Sequence, residues 1–99
     1  MLRLRVWWIP QVPGKPFLVP VDTLVEGKRL LNVLANYDLF QLENNIKPDY
    51  SNVGGLSVFD PYDKEDGPDG SWLDWEDSDG NSIDELDEAQ LQIIDKERI

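Results

Sequence analysis

The sequence predicts an α+β fold: a small, mostly antiparallel sheet of about four strands, with a helix packed on one face and a second helix at the C-terminal end. Three observations predict it. Apolar and polar residues alternate in the first and last thirds of the chain, as strands require. Two capping-box sequences each precede a stretch with helical periodicity. The chain has 99 residues and 40% hydrophobic content, which suits a single domain over residues 1–99.

Two strands are predicted near the N-terminus. Residues 2–9 alternate, so this strand has one dry face and one mixed face. The dry face carries Leu2, Leu4, Val6 and Trp8, and the mixed face carries Arg3, Arg5, Trp7 and Ile9. Residues 17–21 form the second strand after a proline-rich loop. Because Pro20 has no N–H to donate, we expect this strand to lie at a sheet edge or to be irregular at that residue.

A long amphipathic helix is predicted next. Thr23 and Glu26 form a capping box, and the helix then runs to about residues 36–37. At about 100° per residue, one side collects Leu24, Gly27, Leu30, Leu31, Leu34, Ala35 and Tyr37. The opposite side collects Lys28, Arg29, Asn32 and Asn36. We expect the apolar side to lie on the dry face of the sheet. Residues 39–42 extend the helix or form an extra turn.

The middle of the chain is dominated by turn formers. Residues 43–55 contain Asn, Pro, Asp and Gly at many positions and are predicted to form a loop. Residues 56–59 form a short third strand. Residues 60–70 are polar and rich in Pro and Gly, which predicts a mobile acidic loop.

One more strand and one more helix are predicted near the C-terminus. The strand over residues 71–76 points Leu73 and Trp75 inward. Its outward side chains are those of Trp72, Asp74 and Glu76. After a tight turn at residues 79–80, a capping box of Ser82 and Glu85 opens the second helix. The apolar stripe of that helix is Ile83, Leu86, Ala89, Ile93 and Ile94.

Charge is distributed unequally between the two halves of the chain. Residues 60–99 hold fifteen of the twenty acidic residues and three basic ones, a net charge of −12, whereas residues 1–59 have a net charge of +1. Such a surface repels nucleic acid and anionic membranes, and it attracts basic protein surfaces. We therefore expect a protein partner with a basic surface and no direct nucleic acid binding.

Several residue types are missing. The chain has no Cys and no His, so it has no disulfide, no thiol chemistry and none of the usual neutral-pH general base. No apolar run approaches the roughly 20 residues of a membrane span, which predicts a soluble, cytoplasmic protein without membrane attachment. Paired carboxylates are abundant but predicted to be solvated, and no nucleophile lies beside a base, so we predict no enzyme activity.

The acidic stretch over residues 60–88 is the first candidate site. It has thirteen acids against Lys64 alone, interleaved with aromatic residues that favour an ordered surface. The predicted partner-binding residues are Trp72, Asp74, Glu76, Asp77, Asp79, Asp84 and Glu85. A purely solubilising surface is the alternative. A second alternative is a DNA mimic, since duplex DNA carries roughly one charge per 1.7 Å.

Metal and base-stacking interpretations fit the sequence poorly. With Gly80 at the sixth position of a calcium loop, Trp75 falls first and Leu86 twelfth, and neither supplies a carboxylate. We therefore predict no metal site and no cofactor.

Arg3, Arg5 and Trp7 share a strand face that resembles a base-stacking surface. The net charge argues against that role, and we expect the arginines to pair with the chain's own acidic segment.

The Asn-rich loop is the second candidate site. It is a polar segment next to Gly54 and Gly55, where a small molecule or nucleotide can be sequestered. Its candidate ligand-binding residues are Asn44, Asn45, Lys47, Asp49, Tyr50 and Asn52.

Three segments together resemble a known family. They are residues 6–17, residues 37–41 with 45–52, and residues 72–75 with the acids that follow. They are similar to a family of small tailed-phage proteins commonly labelled superinfection exclusion protein. The resemblance spans roughly residues 1–80 and implies phage origin, action inside the infected cell and a non-enzymatic block of a host or competing-phage component. It implies no catalytic residues.

The leading interpretation is a small soluble phage accessory protein that binds a basic protein partner through its acidic face. Such binding would exclude a second phage or disarm a host defence from the host cell cytoplasm. A DNA mimic that inhibits a nucleic-acid-binding protein is the first alternative. A small-molecule or nucleotide sequestering protein is the second, and the oligomeric state is left open.

Overall fold

A computed structural model of the chain describes residues 3–97. In chain order the strands are β1 (Leu4–Ile9), β2 (Phe17–Val21), β3 (Val53–Asp60) and β4 (Ser71–Asp74). The helices are α1 (Leu24–Glu43), a short 3-10 helix (Ile83–Glu85) and α2 (Glu88–Glu97). Leu2, the predicted start of the first strand, lies outside the described residues. Neither α-helix of residues 3–97 has the length and hydropathy that a membrane span requires.

The four strands form one antiparallel sheet in the order β2-β1-β3-β4, which confirms the predicted α+β fold. Strand β2 is an edge strand, as Pro20 predicted. Leu4, Val6 and Trp8 of β1 are buried beneath α1, while Arg5 and the other residues between them are only half-buried. The alternation read from the sequence therefore identifies the face of the sheet that the helix covers.

Strand β3 begins at Val53, three residues before the predicted start, and includes two glycines that were assigned to a loop. A Cβ on Gly54 would lie 2.2 Å from Cε3 of Trp8, and one on Gly55 would lie 2.9 Å from Nε1 of Trp7. These glycines let two indole rings from β1 lie directly against the β3 backbone. The close approach of the rings to the backbone, rather than a turn, explains why glycine occupies both positions.

Helix α1 begins as predicted, because Oγ1 of Thr23 accepts a hydrogen bond from the Glu26 N–H at 3.0 Å. The Glu26 carboxylate accepts from the N–H of Asp22 at 3.2 Å, so the second bond of the box is shifted by one residue. The helix then continues to Glu43, which includes residues 39–42 as an extension.

For two residues of α1, the side of the helix on which they lie differs from the predicted side. Tyr37, assigned to the apolar side, is 56% exposed, and the neighbouring Asp38 is 2% exposed instead. Lys28, assigned to the polar side, follows Leu24 by about one helical turn. Its Nζ donates to the backbone oxygen of Ile83 at 3.1 Å. Lys28 thus joins the helix to the C-terminal segment.

The segment after β3 is held by a lysine. Nζ of Lys64 donates to the backbone oxygens of Pro61 at 2.6 Å and Pro68 at 2.8 Å. Strand β4 follows, and Trp75 is buried, as its predicted inward orientation required. The predicted strand over residues 71–76 ends at Asp74, and Glu76 instead forms an isolated bridge with Ser82. Mobility of residues 60–70 stays a prediction.

The predicted C-terminal helix is divided into two helices. The capping box of Ser82 and Glu85 is present, but it opens the 3-10 helix, after which Leu86 is extended with φ −114° and ψ 140°. Asp87 and Gln90 then form a second reciprocal cap, with bonds of 2.9 and 2.8 Å. This second start resets the helical phase.

The reset changes which apolar residues of α2 are buried. Leu91, absent from the predicted stripe, is fully buried. Ile93, which was assigned to the stripe, is 60% exposed, and Ala89 is exposed as well. The stripe was wrong at these two positions because it assumed one continuous helix from residue 83.

Helix α2 packs against the start of α1 through a carboxylate. Asp95 accepts hydrogen bonds from the backbone N–H groups of Leu24 at 2.8 Å and Val25 at 3.1 Å. A negative charge is favourable at this positive helix end. Arg29 and Glu88 add an ion pair of 2.9 Å between the two helices. The acidic C-terminal segment is thereby attached to the apolar half of the chain.

We predict that Leu31→Ala lowers the free energy of unfolding by about 2–5 kcal/mol, because Leu31 is buried in the core between α1 and the sheet. Val33→Ala is the control, since Val33 is an apolar residue of the same helix but 60% exposed. Urea denaturation measures both. Equal losses would contradict the orientation of α1 described above.

Candidate functional site

Exposed carboxylates gather on the segment that runs from β4 to the 3-10 helix. We call this the acidic surface, and its members are Asp74, Glu76, Asp79, Asp84 and Glu85. The ion pairs found within residues 3–97 are Arg29–Glu88 and Lys47–Asp38, so none of these carboxylates forms an ion pair there. Glu85 accepts from the Ser82 N–H and hydroxyl. The side chain of Lys28 reaches this surface, but its Nζ donates to the backbone oxygens of Ile83 and Asp84, not to a carboxylate.

Asp77, also predicted to bind a partner, organises the turn that presents the acidic surface. Its carboxylate accepts from the N–H groups of Asp79 at 3.0 Å and Asn81 at 2.7 Å, and from Nδ2 of Asn81 at 3.1 Å. These donors, chiefly the Asn81 N–H, lower the pKa of Asp77 below its ordinary value of 3.8. Within residues 3–97, no group of three or more carboxylates is placed to hold a metal ion.

Trp72, predicted to be an outward anchor, lies on the outer sheet face but is half-buried. Its ring meets Phe59 edge-to-face at 5.3 Å. Cζ of Arg5 lies 4.0 Å and Cζ of Arg3 5.4 Å from its ring centroid. The two arginines thus contact the acidic segment through an aromatic ring, and neither forms an ion pair with a carboxylate of residues 3–97.

An apolar groove borders the acidic surface, between residues 75–82 and α2. We call it the isoleucine groove, and its volume is about 550 Å³. Its apolar lining residues are Trp75, Leu86, Ile93 and Ile94, and its acidic ones are Glu76, Asp77, Asp79 and Glu97. Sequence reasoning missed it. The signal was present in Asp87 and Gln90, whose spacing matches a second helix start.

A smaller cavity of about 170 Å³ lies on the other side of the acidic surface. Its lining residues include Trp7, Gly55, Asp74 and Glu76. The two cavities share the Trp75–Glu76 segment. The acidic surface is therefore contoured rather than flat.

Several polar side chains of the Asn-rich loop form hydrogen bonds within the chain itself. Nδ2 of Asn44 donates to the Phe40 oxygen at 2.8 Å, which ends α1, and Asn45 has a positive φ of 59°. The Tyr50 hydroxyl donates to the Ala35 oxygen at 3.2 Å. The Nδ2 of Asn52 is buried without a hydrogen-bond partner among residues 3–97.

Asp49 of the same loop pairs with the segment that follows β1. Its carboxylate accepts from Nε2 of Gln11 at 2.7 Å, which is the largest cause of its lowered pKa. The backbone N–H of Val12 donates to the oxygen of Ser51 at 2.8 Å. These bonds hold the loop against residues 11–12.

Lys47 belongs to a buried polar cluster. Its Nζ lies 3.1 Å from Oδ2 of Asp38, with side chains only 9% and 3% exposed, and it also donates to the backbone oxygen of Pro10. Nε1 of Trp8 donates to the same Asp38 oxygen at 3.1 Å. The buried polar cluster therefore consists of Trp8, Pro10, Asp38 and Lys47, and it joins β1, α1 and the loop.

The family model described as "Superinfection exclusion gene product 17" matches residues 3–95. The chain belongs to this superinfection exclusion family. The superinfection exclusion protein of Salmonella phage P22 is 53% identical to it over 79 residues, which cover 75% of this chain and 77% of the relative. No solved structure matches the chain significantly. The resemblance noted from the sequence is confirmed.

Two of the three segments that carried the resemblance to the superinfection exclusion family meet at the buried polar cluster. Residues 37–41 supply Asp38, residues 45–52 supply Lys47, and residues 6–17 supply Trp8 and Pro10. The acidic surface and the Asn-rich loop are separate candidate sites, because no hydrogen bond or ion pair joins them within residues 3–97.

We predict that Asp38→Leu lowers the free energy of unfolding by about 3–5 kcal/mol, because it leaves the Lys47 ammonium buried and uncompensated. Adding Lys47→Met should restore much of the loss. The matched control is Glu88→Ala, which breaks an ion pair whose side chains are 69% and 45% exposed and should cost at most ~1 kcal/mol. Chemical denaturation of the parent, Asp38→Leu, Lys47→Met and the double variant measures the coupling, and strictly additive losses would contradict it.

We predict that Asp77→Ala flattens the acid side of the stability profile. The pKa of Asp77 is lowered in the folded chain, so this carboxylate stabilises the fold above its unfolded pKa of 3.8. That contribution is lost as pH falls through the lower folded pKa. Urea midpoints measured from about pH 6 to about pH 2 should therefore fall more steeply for the parent. Ser78→Ala, which changes the same turn but removes no carboxylate, should keep the parent's slope.

Proposed function

We propose that this phage protein acts in the infected cell by binding a protein partner with a basic surface. Binding through the acidic surface would exclude a second phage or disarm a host defence without catalysing a reaction. The single observation that supports this proposal is the set of exposed carboxylates from β4 to the 3-10 helix. They form no ion pair in the part of the chain that the structure describes.

The charge pattern favours recognition over stability as the role of these carboxylates. Solvated like charges contribute little to a fold, and their mutual repulsion opposes it. Placed on one surface, they attract a basic partner over about 10 Å at 0.1 M salt. They accelerate its association and discourage acidic partners. The host cell cytoplasm, where such a partner is available during infection, is the compartment we propose.

A DNA mimic is the alternative that this surface also favours. Such a protein would occupy the nucleic-acid-binding groove of its target with carboxylates in place of phosphates. A competition experiment distinguishes the DNA mimic from a protein that binds a basic surface with another role. Duplex DNA should displace the phage protein from a nucleic-acid-binding target, and it should have no effect when the basic surface has another role.

Small-molecule sequestration by the Asn-rich loop has less support. Asn44, Asp49 and Tyr50 already bond to their own chain, and Lys47 is buried against Asp38. A non-enzymatic mode of action is supported by the exposure of the acidic surface, since a catalytic carboxylate needs burial or a tuned neighbour.

We predict that a double variant, Asp74→Asn with Asp84→Asn, reduces exclusion in cells that express the protein and are challenged with a tailed phage. Two lost contacts to a basic partner correspond to a loss of affinity of about tenfold or more, or ~1.4 kcal/mol. The matched control is Asp22→Asn with Glu43→Gln, which changes the net charge equally in the apolar half. Plaque counts and circular dichroism measure exclusion and folding.

If both double variants exclude as well as the parent, the acidic surface is only a solubilising surface. If both lose exclusion equally, total charge rather than this surface is responsible. A partner identified by cross-linking adds a second readout, because its association with the parent should slow as salt rises.

A further inference from the structure

We propose that the isoleucine groove is the docking site for an amphipathic basic segment of a partner protein. An apolar side chain of that segment inserts between α2 and residues 75–82, and its flanking Lys or Arg side chains meet the carboxylates around the groove. The inference deepens the proposed function and rests on it, since it specifies the chemistry of the segment that the partner presents.

The apolar lining is exposed because of the way α2 begins. Leu86 is extended and Asp87 starts a new helix, so Leu91 enters the core and Ile93 faces the groove at 60% exposure. The buried residues Trp75 and Leu86 also line the groove, and the partly buried Ile94 packs against the core. An apolar side chain placed here would cover Ile93 and gain roughly 25 cal/mol for each Å² removed from water.

The charge around the groove selects the occupant. Among residues 3–97, four carboxylates line it and no Lys or Arg does. Glu76, Asp79 and Glu97 are exposed and form no ion pair within residues 3–97. An acidic peptide, a nucleic acid or a second copy of this chain, with its net charge of −11, would meet like charge here. A basic amphipathic segment is complementary in both respects.

The dimensions also suit a short peptide segment. A volume of about 550 Å³ lies within the roughly 300–1,000 Å³ of ligand-binding clefts. Both walls are fixed to the rest of the fold. Asp77 orders the turn through Asn81, and Glu76 bridges to Ser82. Asp95 anchors α2 at the start of α1. Little ordering is therefore required on binding, which favours affinity.

The first experiment titrates a helical peptide of about twelve residues, built from Leu at helical spacing and Lys elsewhere, into the full chain labelled at the Ile methyl groups. We expect the methyl signals of Ile93 and Ile94 to shift and that of Ile46, an exposed isoleucine of the Asn-rich loop, to stay. The same peptide with Glu in place of Lys should cause no shift. Equal shifts with both peptides, or shifts at Ile46 alone, would overturn the inference.

The second experiment uses a matched pair of variants. Ile93→Gln should weaken peptide binding about tenfold, which corresponds to ~1.4 kcal/mol. Val33→Gln should bind like the parent, since Val33 is also a 60% exposed apolar residue of a helix but lies outside the groove. Both proteins should melt near the parent temperature because neither residue is buried. Equal binding by the two variants rejects the groove.

A different occupant gives a distinct result. Movement of the Ile93 signal on dilution without peptide would assign the groove to a second copy. That result overturns the inference.

The exclusion assay separates the inference from the proposed function. If Ile93→Gln retains exclusion while Asp74→Asn with Asp84→Asn loses it, the groove inference fails and the proposed function stands. If the double variant retains exclusion, the proposed function fails, whatever the peptide result.

Discussion

The rest of the fold depends on the buried contacts that the Asp38 carboxylate makes. It accepts from the indole of Trp8 and pairs with Lys47, which also donates to the backbone of Pro10. Burying a charged pair is costly unless its hydrogen bonds are satisfied. Here the partners come from the central strand, the long helix and the loop between α1 and β3. One buried site therefore sets how these three parts pack together.

Further contacts attach the C-terminal segment to this framework. Asp95 accepts from the backbone at the start of α1, and Lys28 donates to the backbone of the 3-10 helix. Apart from the shared apolar core and the exposed Arg29–Glu88 pair, the two halves of the chain are thus joined through hydrogen bonds to backbone groups. The carboxylates between β4 and the 3-10 helix are consequently left facing outward. This arrangement connects the fold to the proposed recognition of a basic partner by a superinfection exclusion protein.

The candidate site was predicted only in part. Charge composition indicated an acidic recognition surface, because the count of acids against bases needs no tertiary information. It did not reveal that Asp77 is engaged in a turn or that Trp72 is covered by Arg3 and Arg5. Those contacts depend on which strands become neighbours. The groove at Ile93 was missed for a more local reason, the unrecognised helix start at Asp87.

The sequence by itself determined the elements whose cause is local. Alternation along residues 4–9, the edge position that Pro20 requires and the caps at Thr23 and Ser82 all act through neighbouring backbone, so they could be predicted. Only the tertiary structure decided the rest. It placed Gly54 under an indole ring instead of in a turn, and it buried Asp38 instead of Tyr37. In each case a partner distant in the chain outweighed the local preference, because a steric clash or an unpaired buried charge costs more free energy than turn or helix propensity supplies.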